Sequence, residues 1–598
     1  MQLKVLLVAM RGSRRTYLAG LAALAVATIF LFLGPQILRI TLDSVLANEP
    51  PRLPEPLLGY WSNLGGRTFF LHRLWLPAAA LAATAILQGL FTCVQGRATA
   101  RSSEAAVERL RTAMYNHIQR LPYLDMDRFS TGDLIQRCTS DIDTIRRFIS
   151  LEAPEIVRTL AMLSIAVPMM LSMDPALTVL GLALVPVLFG FSLLFFLRVQ
   201  RAFERMDESE ARMSTMLQES ITGIRVVRAF GRQRYEEDRF SQHNEEFRHL
   251  TFGVINNMAL YWSVSSWMSM LQVGLLLVGG SILVLQGSVS IGVLTAFLTI
   301  QTHLLFPVRM LGRVLANMGQ MSVALGRLQE VLRVPIEQQL DEGQRPEVRG
   351  GLSLQNVEFS YPDGSQVLHG INCEIHPGER IGILGPTGSG KSTLVHLLAR
   401  LFEYSGGSIR IDGVELNTIA KRHLRSQVAV VLQEPFLFAR TIRENLRLAR
   451  AGARDEEIIE AARTACFHEV VNGFSQGYDT MVGERGVTLS GGQKQRLALA
   501  RTLLRDTPVL ILDDAMSAVD TETEAEIRQA LESRRDRLTT IMVSHRITTL
   551  AATDRILVMD DGRIVDSGRH EELINRPGLY QRVWQLQHQF ALQEEAAG

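Results

Sequence analysis

Two adjacent carboxylates follow a short apolar run late in this chain of 598 residues. The run Val509 to Leu512, VLIL, precedes Asp513 and Asp514. Such a run predicts a buried β-strand that places both carboxylates at the edge of a sheet, where a metal-bound phosphate could meet them. The second carboxylate would orient the attacking water. Asp514 is one methylene shorter than a glutamate, and a displacement of about 1 Å can cost on the order of a hundredfold in rate, so the pair predicts a nucleotide site with a slow chemical step.

A glycine-rich loop suited to phosphate lies earlier in the chain. IGILGPTGSGKST, Ile381 to Thr393, reads as a strand, a loop and a helix start, and it matches G-x-x-x-x-G-K-[ST]. Its glycines would let backbone N–H groups approach phosphate oxygens, Lys391 would reach the β- and γ-phosphates, and Ser392 would ligate Mg²⁺. The residues expected to bind ATP in this loop are Gly385, Pro386, Thr387, Gly388, Ser389, Gly390, Lys391, Ser392 and Thr393.

A further motif resembles a known family. LSGGQ, Leu489 to Gln493, followed by KQRLALARTLLRDTPVLILDD, is similar to the signature of ATP-binding cassette (ABC) proteins. With the apolar spans described below, the whole chain resembles an ABC half-transporter of the exporter type. The resemblance implies an all-α six-helix membrane domain of the type IV exporter fold, an α/β P-loop NTPase cassette, the ligands ATP and Mg²⁺, and ATP hydrolysis coupled to transport.

The same resemblance assigns roles in the nucleotide site. Tyr361 resembles the aromatic residue that stacks on adenine, and Gln433 resembles the glutamine that touches Mg²⁺ or water and senses the membrane domain. Asp513 matches a carboxylate that holds Mg²⁺ through water, and His545 resembles the switch histidine at the γ-phosphate. The expected catalytic residues are therefore Asp514, His545 and Gln433, and the expected metal site is Ser392, Gln433 and Asp513.

The signature implies a dimer. SGGQ would open a helix and form an anion site, which in this family meets a γ-phosphate held by the other cassette. Hydrolysis of two shared ATP molecules would then drive alternation between inward-facing and outward-facing cavities. Gly483 to Gly486 resemble the loop that meets the coupling helices. The residues expected to act on the partner site are Leu489, Ser490, Gly491, Gly492 and Gln493, and those of the D-loop facing the partner are Ser517, Ala518, Val519 and Asp520.

Asp514 departs from the glutamate common in the family. The departure resembles one chain of a heterodimeric exporter, in which this chain's P-loop forms a degenerate site and its intact signature completes a competent one. The alternative is a homodimer with slow, symmetric sites.

Composition separates the chain into two modules. The mean hydropathy is +0.12, with 47% hydrophobic residues concentrated in the first half, which predicts a membrane module followed by a soluble one. The 62 basic and 61 acidic residues leave a net charge of +1, so the chain has no overall positive electrostatic field that would indicate nucleic-acid binding. The four cysteines are too widely spaced for a metal site or a disulfide framework, so free thiols are expected.

Six apolar segments predict membrane spans. Thr16 to Leu38 and Leu74 to Gln95 carry no charge and can each cross about 30 Å of hydrocarbon as a helix. Asp174 alone separates two further apolar arms, and the uncharged stretch Leu250 to Thr302 is divided at Gln286 to Ser288. The expected spans are residues 16–40, 74–96, 156–173, 175–197, 256–285 and 291–311.

Basic residues set the orientation. They precede the first span and follow the second and fourth, whereas the turns at Asp174 and at 286–290 have none, so both termini and both long loops are expected in the cytoplasm of a plasma (inner) membrane protein. The basic residues are Lys4, Arg11, Arg14, Arg15, Arg97, Arg101, Arg109, Arg111, Arg198, Arg201, Arg205 and Arg212.

The domain plan follows from these patterns. A membrane domain of residues 1–333 has helical cytoplasmic loops, with chain reversals expected at Pro122 to Leu134 and Glu219 to Arg232. A polar linker of residues 334–350 joins it to a cassette of residues 351–590 with a tail of 591–598. Within the spans Gln272, Gln301 and His303 either line a cavity or bond a neighbouring helix.

These expectations converge on ATP-driven export of amphipathic or hydrophobic small molecules, drugs or lipids among them, with a second half-transporter as partner and the lipid bilayer as surroundings. A peptide or lipid-precursor exporter is the nearest alternative. A subunit that binds ATP and gates its partner without hydrolysing it is partly compatible with Asp514. The spans exclude a soluble ABC ATPase, and their fusion to the cassette disfavours an importer subunit.

Overall fold

The computed structural model describes residues 8–51, 55–63, 66–126, 128–338, 340–533 and 538–597. Lys4, used above for orientation, lies outside the described residues, as do Asp127 in the first reversal, Gln339 in the linker and the terminal Gly598. The chain forms two compact units. One consists of Met1–Arg120 and Phe129–Val334, and the other of Leu121–Arg128 and Pro335–Gly598.

The described part of the first 334 residues is mainly helical. Single π-helical segments at Thr41–Leu46, Arg137–Asp141 and Phe148–Glu152 continue neighbouring helices. The α-helices are α1 (Arg14–Ile40), α2 (Glu55–Asn63), α3 (Gly66–Leu71), α4 (Trp75–Ile118), α5 (Tyr123–Met126), α6 (Thr131–Gln136), α7 (Ile142–Arg147), α8 (Ala153–Met173), α9 (Pro175–Leu182), α10 (Val185–Thr222), α11 (Ile224–Ala229), α12 (Gln233–Leu285) and α13 (Ile291–Arg333).

Six helical segments in the described chain are long and apolar enough to cross a membrane. They confirm the expected six-helix membrane domain. Several of the segments are longer than a bilayer crossing requires, and the short helices α5 and α11 stand where the two reversals were expected. The six segments are Arg14–Leu46, Trp75–Ile118, Thr131–Met173, Pro175–Thr222, Gln233–Leu285 and Ile291–Arg333.

The fourth segment is interrupted between α9 and α10, close to Pro186, which cannot donate a backbone hydrogen bond. Gln272 of α12 satisfies the backbone at this break: its side chain accepts a hydrogen bond from the Leu184 N–H at 2.8 Å and donates to the carbonyls of Leu180 and Gly181. Gln301 of α13 also donates to the Gly181 carbonyl, at 3.2 Å. Of the two interpretations left open by the sequence, bonding to a neighbouring helix is the one seen for both glutamines.

Helix α13 forms the centre of the membrane unit, because its buried residues, among them Phe297 and Ile300, pack against four other helices. Asp43, which follows α1, caps the start of α13 by accepting hydrogen bonds from the Ser290 hydroxyl at 2.6 Å and the Gly292 N–H at 2.8 Å. Nearer the other end, Tyr261 donates to the Arg309 carbonyl at 2.8 Å.

The cassette alternates strands and helices, with short 3₁₀ turns at Leu416–Thr418, Gly477–Asp479 and Glu484–Gly486. The strands are β1 (Leu352–Ser360), β2 (Gln366–Ile375), β3 (Arg380–Leu384), β4 (Gly406–Ile411), β5 (Val414–Glu415), β6 (Val428–Val431), β7 (Val509–Asp513), β8 (Thr539–Val543), β9 (Arg555–Asp560) and β10 (Arg563–Gly568). The helices are α14 (Lys391–Leu398), α15 (Lys421–Gln427), α16 (Ile442–Arg447), α17 (Asp455–Thr464), α18 (His468–Asn472), α19 (Gly491–Leu503), α20 (Thr521–Glu532), α21 (Ile547–Leu550), α22 (His570–Leu573) and α23 (Leu579–Ala597).

The larger sheet of the cassette positions the candidate site. Its order is β10-β9-β3-β8-β7-β6, and every pair from β9 to β6 is parallel. Strands β7 and β8 are buried along their whole length, as expected for parallel strands covered on both faces. Because the carboxyl ends of parallel strands share one edge, the segments that follow β3, β8, β7 and β6 meet there. A smaller antiparallel sheet, β2-β1-β4-β5, packs in the same hydrophobic core as β3.

The segment expected to be a linker makes hydrogen bonds with the cassette. Glu337 accepts two hydrogen bonds from Arg425, at 3.1 and 2.5 Å, and lies 3.3 Å from the Lys421 ammonium. Further along, the Asp412 carboxylate accepts backbone N–H groups from Arg349 to Gly351. These contacts attach Glu337 and residues 349–351 to the cassette fold.

Candidate nucleotide-binding site

The glycine-rich loop connects β3 to α14 at the edge just described. Gly390 has φ of 92°, in the left-handed region, and a Cβ on it would lie 2.7 Å from Leu368, so both the turn and the packing require glycine. Lys391 is 7% exposed, and its ammonium donates hydrogen bonds to the carbonyls of Gly385 and Pro386, each at 2.8 Å. These bonds hold the lysine at the mouth of its own loop, where its ammonium could exchange them for hydrogen bonds to phosphate oxygens.

The loop also offers an unused donor. The Ser389 hydroxyl is buried, and among the described residues it has no hydrogen-bond partner. An orphaned hydroxyl is costly to bury, and a phosphate oxygen would satisfy it. Pro386, Thr387 and Gly388 are exposed at the tip. The loop therefore fits a nucleotide phosphate in both shape and donors.

The two carboxylates stand at the end of β7, which pairs directly with β8. Asp513 is 5% exposed and accepts a hydrogen bond from Ser392, which brings two of the three expected metal-site residues together. Burial raises the pKa of Asp513, against the opposing effects of that hydrogen bond and of the positive charge of Lys391. Ser392 and Asp513 supply the oxygen ligands that Mg²⁺ prefers, and a phosphate would complete the set.

Asp514 lies beside Asp513 but is less buried. Burial raises the pKa of its carboxyl group, and the negative charge of Asp513 raises it further, while His545 opposes both effects. Its backbone is fixed: the Asp514 N–H donates to the Val543 carbonyl at 2.9 Å, and φ is 47°. This hydrogen bond holds the backbone of residue 514 against the end of β8.

His545 and Gln433 follow β8 and β6, and both side chains are exposed at this edge. His545 lies close enough to Asp513 and Asp514 for its charge to lower the pKa of each. Gln433 comes two residues after the end of β6, on a stretch without regular structure. The sheet thus brings the segments of all three expected catalytic residues, Asp514, His545 and Gln433, to one edge.

Tyr361 packs edge-on against two rings of the smaller sheet's core, Phe359 at 5.1 Å and Phe402 at 5.9 Å between centroids. Its hydroxyl lies 3.4 Å from the Thr393 hydroxyl, which ties it to the first turn of α14. Tyr123 of α5 joins the same group of rings, 5.8 Å from Phe402. Tyr361 is therefore a half-buried ring held next to the phosphate loop, as a base-stacking residue requires.

The signature forms the start of α19. The Ser490 hydroxyl accepts the Gln493 N–H, and the Gln493 side chain accepts the Ser490 N–H in return, which is a capping box. A Cβ on Gly492 would lie 2.7 Å from the Ala518 carbonyl oxygen, so the D-loop requires glycine here. Leu489 is buried beneath the turn, while Ser490 and Gly491 are exposed.

The D-loop, Ser517 to Asp520, is held by residues that the sequence analysis did not identify. Gln495 of α19 accepts the Ala518 N–H at 2.9 Å and donates to the Ser517 hydroxyl at 3.1 Å. Asp520 ends the loop by capping α20 through the Thr523 N–H.

Arg546 also holds the D-loop, because it donates hydrogen bonds to the carbonyls of Ser517 and Val519 at 2.9 and 3.1 Å. Arg546 also forms an ion pair at 3.1 Å with Glu524, whose side chain is 3% exposed, and Thr549 hydrogen-bonds the same carboxylate. The only sequence signal for this cluster was position: Gln495 follows the signature, and Arg546 follows the switch histidine.

Comparison with known proteins identifies the arrangement. Two family profiles match the chain, the ABC transporter transmembrane region over residues 17–308 and the ABC transporter family over residues 368–517. The uncharacterized ABC transporter ATP-binding protein YknU of Bacillus subtilis is 33% identical over 582 residues, which cover 96% of this chain and 95% of that protein. The chain belongs to the ABC transporter family.

Two further matches agree with an ABC exporter. The ATP-dependent lipid A-core flippase of Syntrophus aciditrophicus is 32% identical across 86% of this chain and 85% of its own length. The solved structure of a bacterial Atm1-family ABC exporter with ATP bound aligns with a TM-score of 0.79 at 26% identity, and it covers 96% of this chain and 99% of its own. With one membrane domain and one cassette, this ABC protein is a half-transporter that requires a second half, and it is an ATPase coupled to transport.

Proposed function

We propose that this half-transporter lies in the plasma (inner) membrane, with both termini in the cytoplasm, and exports amphipathic or hydrophobic small molecules of the drug or lipid class at the expense of ATP. The observation that carries the proposal is the convergence of the phosphate loop, the Asp513–Asp514 pair and His545 at one sheet edge, in a chain with six membrane-spanning helices. The similarity to a lipid A-core flippase supports the lipid class.

At its own site the chain binds ATP through Lys391, Ser389 and the loop N–H groups, with Tyr361 against the base. Ser392 and Asp513 would hold Mg²⁺, with Gln433 nearby, and the ion supplies neutralisation of phosphate charge. Asp514 orients a water for attack on the γ-phosphorus, and His545 contacts the γ-phosphate. Hydrolysis at this site is slow because Asp514 is short and its backbone is fixed to Val543.

We propose that the partner is a different half-transporter. The signature of this chain is complete, with Ser490 and Gly491 exposed and the helix start capped. It therefore suits a competent site formed with the partner's phosphate loop, while the partner's signature faces the degenerate site. Closure of the two cassettes around two ATP molecules drives the spans between inward-facing and outward-facing states.

The test compares three variants of the full-length dimer in lipid nanodiscs. We expect Asp514→Glu to raise hydrolysis at this chain's site by on the order of ten- to a hundredfold, and Asp514→Ala to change total turnover little. Gly491→Asp, which damages the signature offered to the partner, should abolish most turnover.

A homodimer with two slow, equivalent sites is the second candidate, since half-transporters pair with themselves or with another chain. In that case Asp514→Ala would abolish turnover as completely as Gly491→Asp. Native mass spectrometry of the purified complex reports independently whether the two halves have equal mass.

A further inference from the structure

The C-terminal helix α23 packs against the cassette core through an apolar face. Tyr580, Val583 and Trp584 on this face belong to a hydrophobic cluster that also contains Ile547 and Leu384. Leu384 ends β3, just before the phosphate loop, and Ile547 begins α21. Tyr580 is only 1% exposed. The start of α23 is therefore firmly packed against segments that lead into the candidate site.

One position on this face of α23 is polar. The apolar residues recur at helical spacing from Tyr580, and the position seven residues later on the same face is Gln587. An apolar side chain there would continue the packing. Gln587 instead bonds the backbone twice: its Nε2 donates to the His545 carbonyl at 2.7 Å, and its Oε1 accepts the Ile547 N–H at 2.9 Å. A single amide group thus bridges the two ends of one tripeptide.

These two bonds satisfy groups that the tripeptide leaves open. Helix α21 begins after Arg546, whose side chain does not cap it, so the Ile547 N–H is one of the orphan donors of a helix start. His545 lies in the irregular segment between β8 and α21, where its carbonyl is outside the sheet ladder. Gln587 therefore fixes the peptide that joins His545 to Arg546, and this peptide sets where the imidazole stands.

The same tripeptide is held on another side by the D-loop. Arg546 donates hydrogen bonds to two D-loop carbonyls, at 2.9 and 3.1 Å. His545, one residue earlier, is close enough to Asp513 and Asp514 for its charge to act on both carboxyl groups. The position of His545 is thus determined jointly by the D-loop and the C-terminal helix. A displacement of about 1 Å in such a group can cost on the order of a hundredfold in rate.

We propose that Gln587 is a positioning residue for hydrolysis at this chain's nucleotide site, and that it acts by holding the backbone of His545. The inference rests on the proposed function, which places His545 at the γ-phosphate, and it extends that function by giving the C-terminal helix a part in the reaction. Without the contact the imidazole moves away from the γ-phosphate, so the rate falls. The affinity for ATP is retained, because the phosphate loop and Tyr361 provide it.

Three substitutions separate the two hydrogen bonds of Gln587. Gln587→Leu removes both of them. Gln587→Glu keeps an acceptor for the Ile547 N–H but loses the donor to the His545 carbonyl. The matched control is Gln585→Leu, because Gln585 is exposed on the same helix, about 200° around its axis from Gln587.

The first assay is vanadate trapping of radiolabelled 8-azido-ATP in the full-length complex in nanodiscs, with Asp514→Glu as the parent. The base lies against Tyr361 of this chain, so label on this chain reports turnover at its own site, whatever the partner is. We expect Gln587→Leu and Gln587→Glu to lower the trapping rate at saturating nucleotide by on the order of tenfold. The half-saturating concentration should stay within about twofold of the parent, and Gln585→Leu should match the parent in both quantities.

The second assay is hydrogen exchange resolved to single amides, which reports on the contact independently of hydrolysis. The Ile547 N–H should exchange about two- to tenfold faster in Gln587→Leu, the effect of losing one hydrogen bond. In Gln587→Glu the same amide should exchange at the parent rate. The glutamate variant thus separates capping of α21, which it retains, from positioning of His545, which it loses.

Parent-like trapping in Gln587→Glu would reduce Gln587 to a cap of α21 and overturn the proposal. Unchanged exchange of the Ile547 N–H in Gln587→Leu would show that the contact does not hold the tripeptide, with the same consequence. Absence of trapping in the Asp514→Glu parent itself would contradict the proposed hydrolysis at this site instead, and the exchange rates would still decide whether Gln587 holds the backbone of His545.

Discussion

The contact between Arg546 and Glu524 gives a quantitative prediction for the cassette. The Glu524 side chain is 3% exposed and pairs with Arg546 at 3.1 Å, and Arg546 also donates to the carbonyls of Ser517 and Val519. Removing one partner of a fully buried ion pair costs about 3–5 kcal/mol. The Arg546 side chain is 42% exposed, so water can reach the remaining carboxylate. We therefore expect Arg546→Gln to cost about 2 kcal/mol.

A loss of this size should be visible in thermal unfolding. For a domain of about 150–250 residues, 1 kcal/mol corresponds to about 2–4 °C in Tm, so Arg546→Gln should lower the Tm of the cassette transition by about 4–8 °C. The variant also removes the two hydrogen bonds that Arg546 donates to D-loop carbonyls, so kcat should fall by on the order of tenfold. The KM for ATP should change little, because the phosphate loop is not in contact with Arg546. Differential scanning fluorimetry and steady-state ATPase assays on the full-length complex measure both effects.

The matched control is Arg576→Gln in the same cassette. Arg576 pairs with Asp566 at 3.3 Å, but its side chain is 53% exposed and that of Asp566 is 30% exposed. A surface pair contributes about 0–1 kcal/mol, so its loss should leave Tm almost unchanged and kcat intact. If the two variants shifted Tm equally, or if Arg546→Gln raised KM while leaving kcat unchanged, the role of Arg546 in positioning the D-loop would be refuted.

Two further predictions concern the linker and the signature. Burial raises the pKa of Glu337, but the hydrogen bond and charge of Arg425 outweigh burial and hold the pKa below its usual 4.5. Ionised Glu337 therefore stabilises the cassette above about pH 4.5, and this stabilisation is lost as the pH falls further. Glu337→Gln should lower Tm by about 4 °C at pH 7, and the difference should shrink below pH 4.5 in a pH series of unfolding scans. Gly492→Ala would place a Cβ 2.7 Å from the Ala518 carbonyl oxygen and should reduce turnover at the partner's site at least tenfold. The control is Gly452→Ala, which has open space around the new Cβ and should match the wild type in the same ATPase assay.

The features recovered from the sequence are those encoded in short contiguous segments. The apolar run before Asp513 became β7, and six apolar stretches became six long helices, because burial of a strand or a span is decided locally. The phosphate loop could be located because its glycines and lysine occupy neighbouring positions.

The features that the sequence did not reveal depend on contacts between distant residues. Gln495 and Ser517 are 22 residues apart, and Arg546 and Glu524 are also separated by 22. A glutamine or an arginine carries no local pattern that would indicate such a partner. The same limit applied to Gln272, whose bonds to the break between α9 and α10 join residues about 90 positions apart. Pro186 was the single local signal for that break.

The backbone around Asp514 is compatible with the proposal that one site is slow while the other stays intact. The Asp514 N–H is bonded to Val543, and its carbonyl accepts both the N–H and the hydroxyl of Ser517, so the D-loop is held by main-chain atoms of residue 514. Exchanging glutamate for aspartate at this position changes only the reach of the side chain. The surface offered to the partner, with Gly492 against Ala518, is therefore unaffected. In the proposed heterodimer, where the signature of this chain acts on the partner's nucleotide, the loss of one methylene would slow one site without a structural cost to the other.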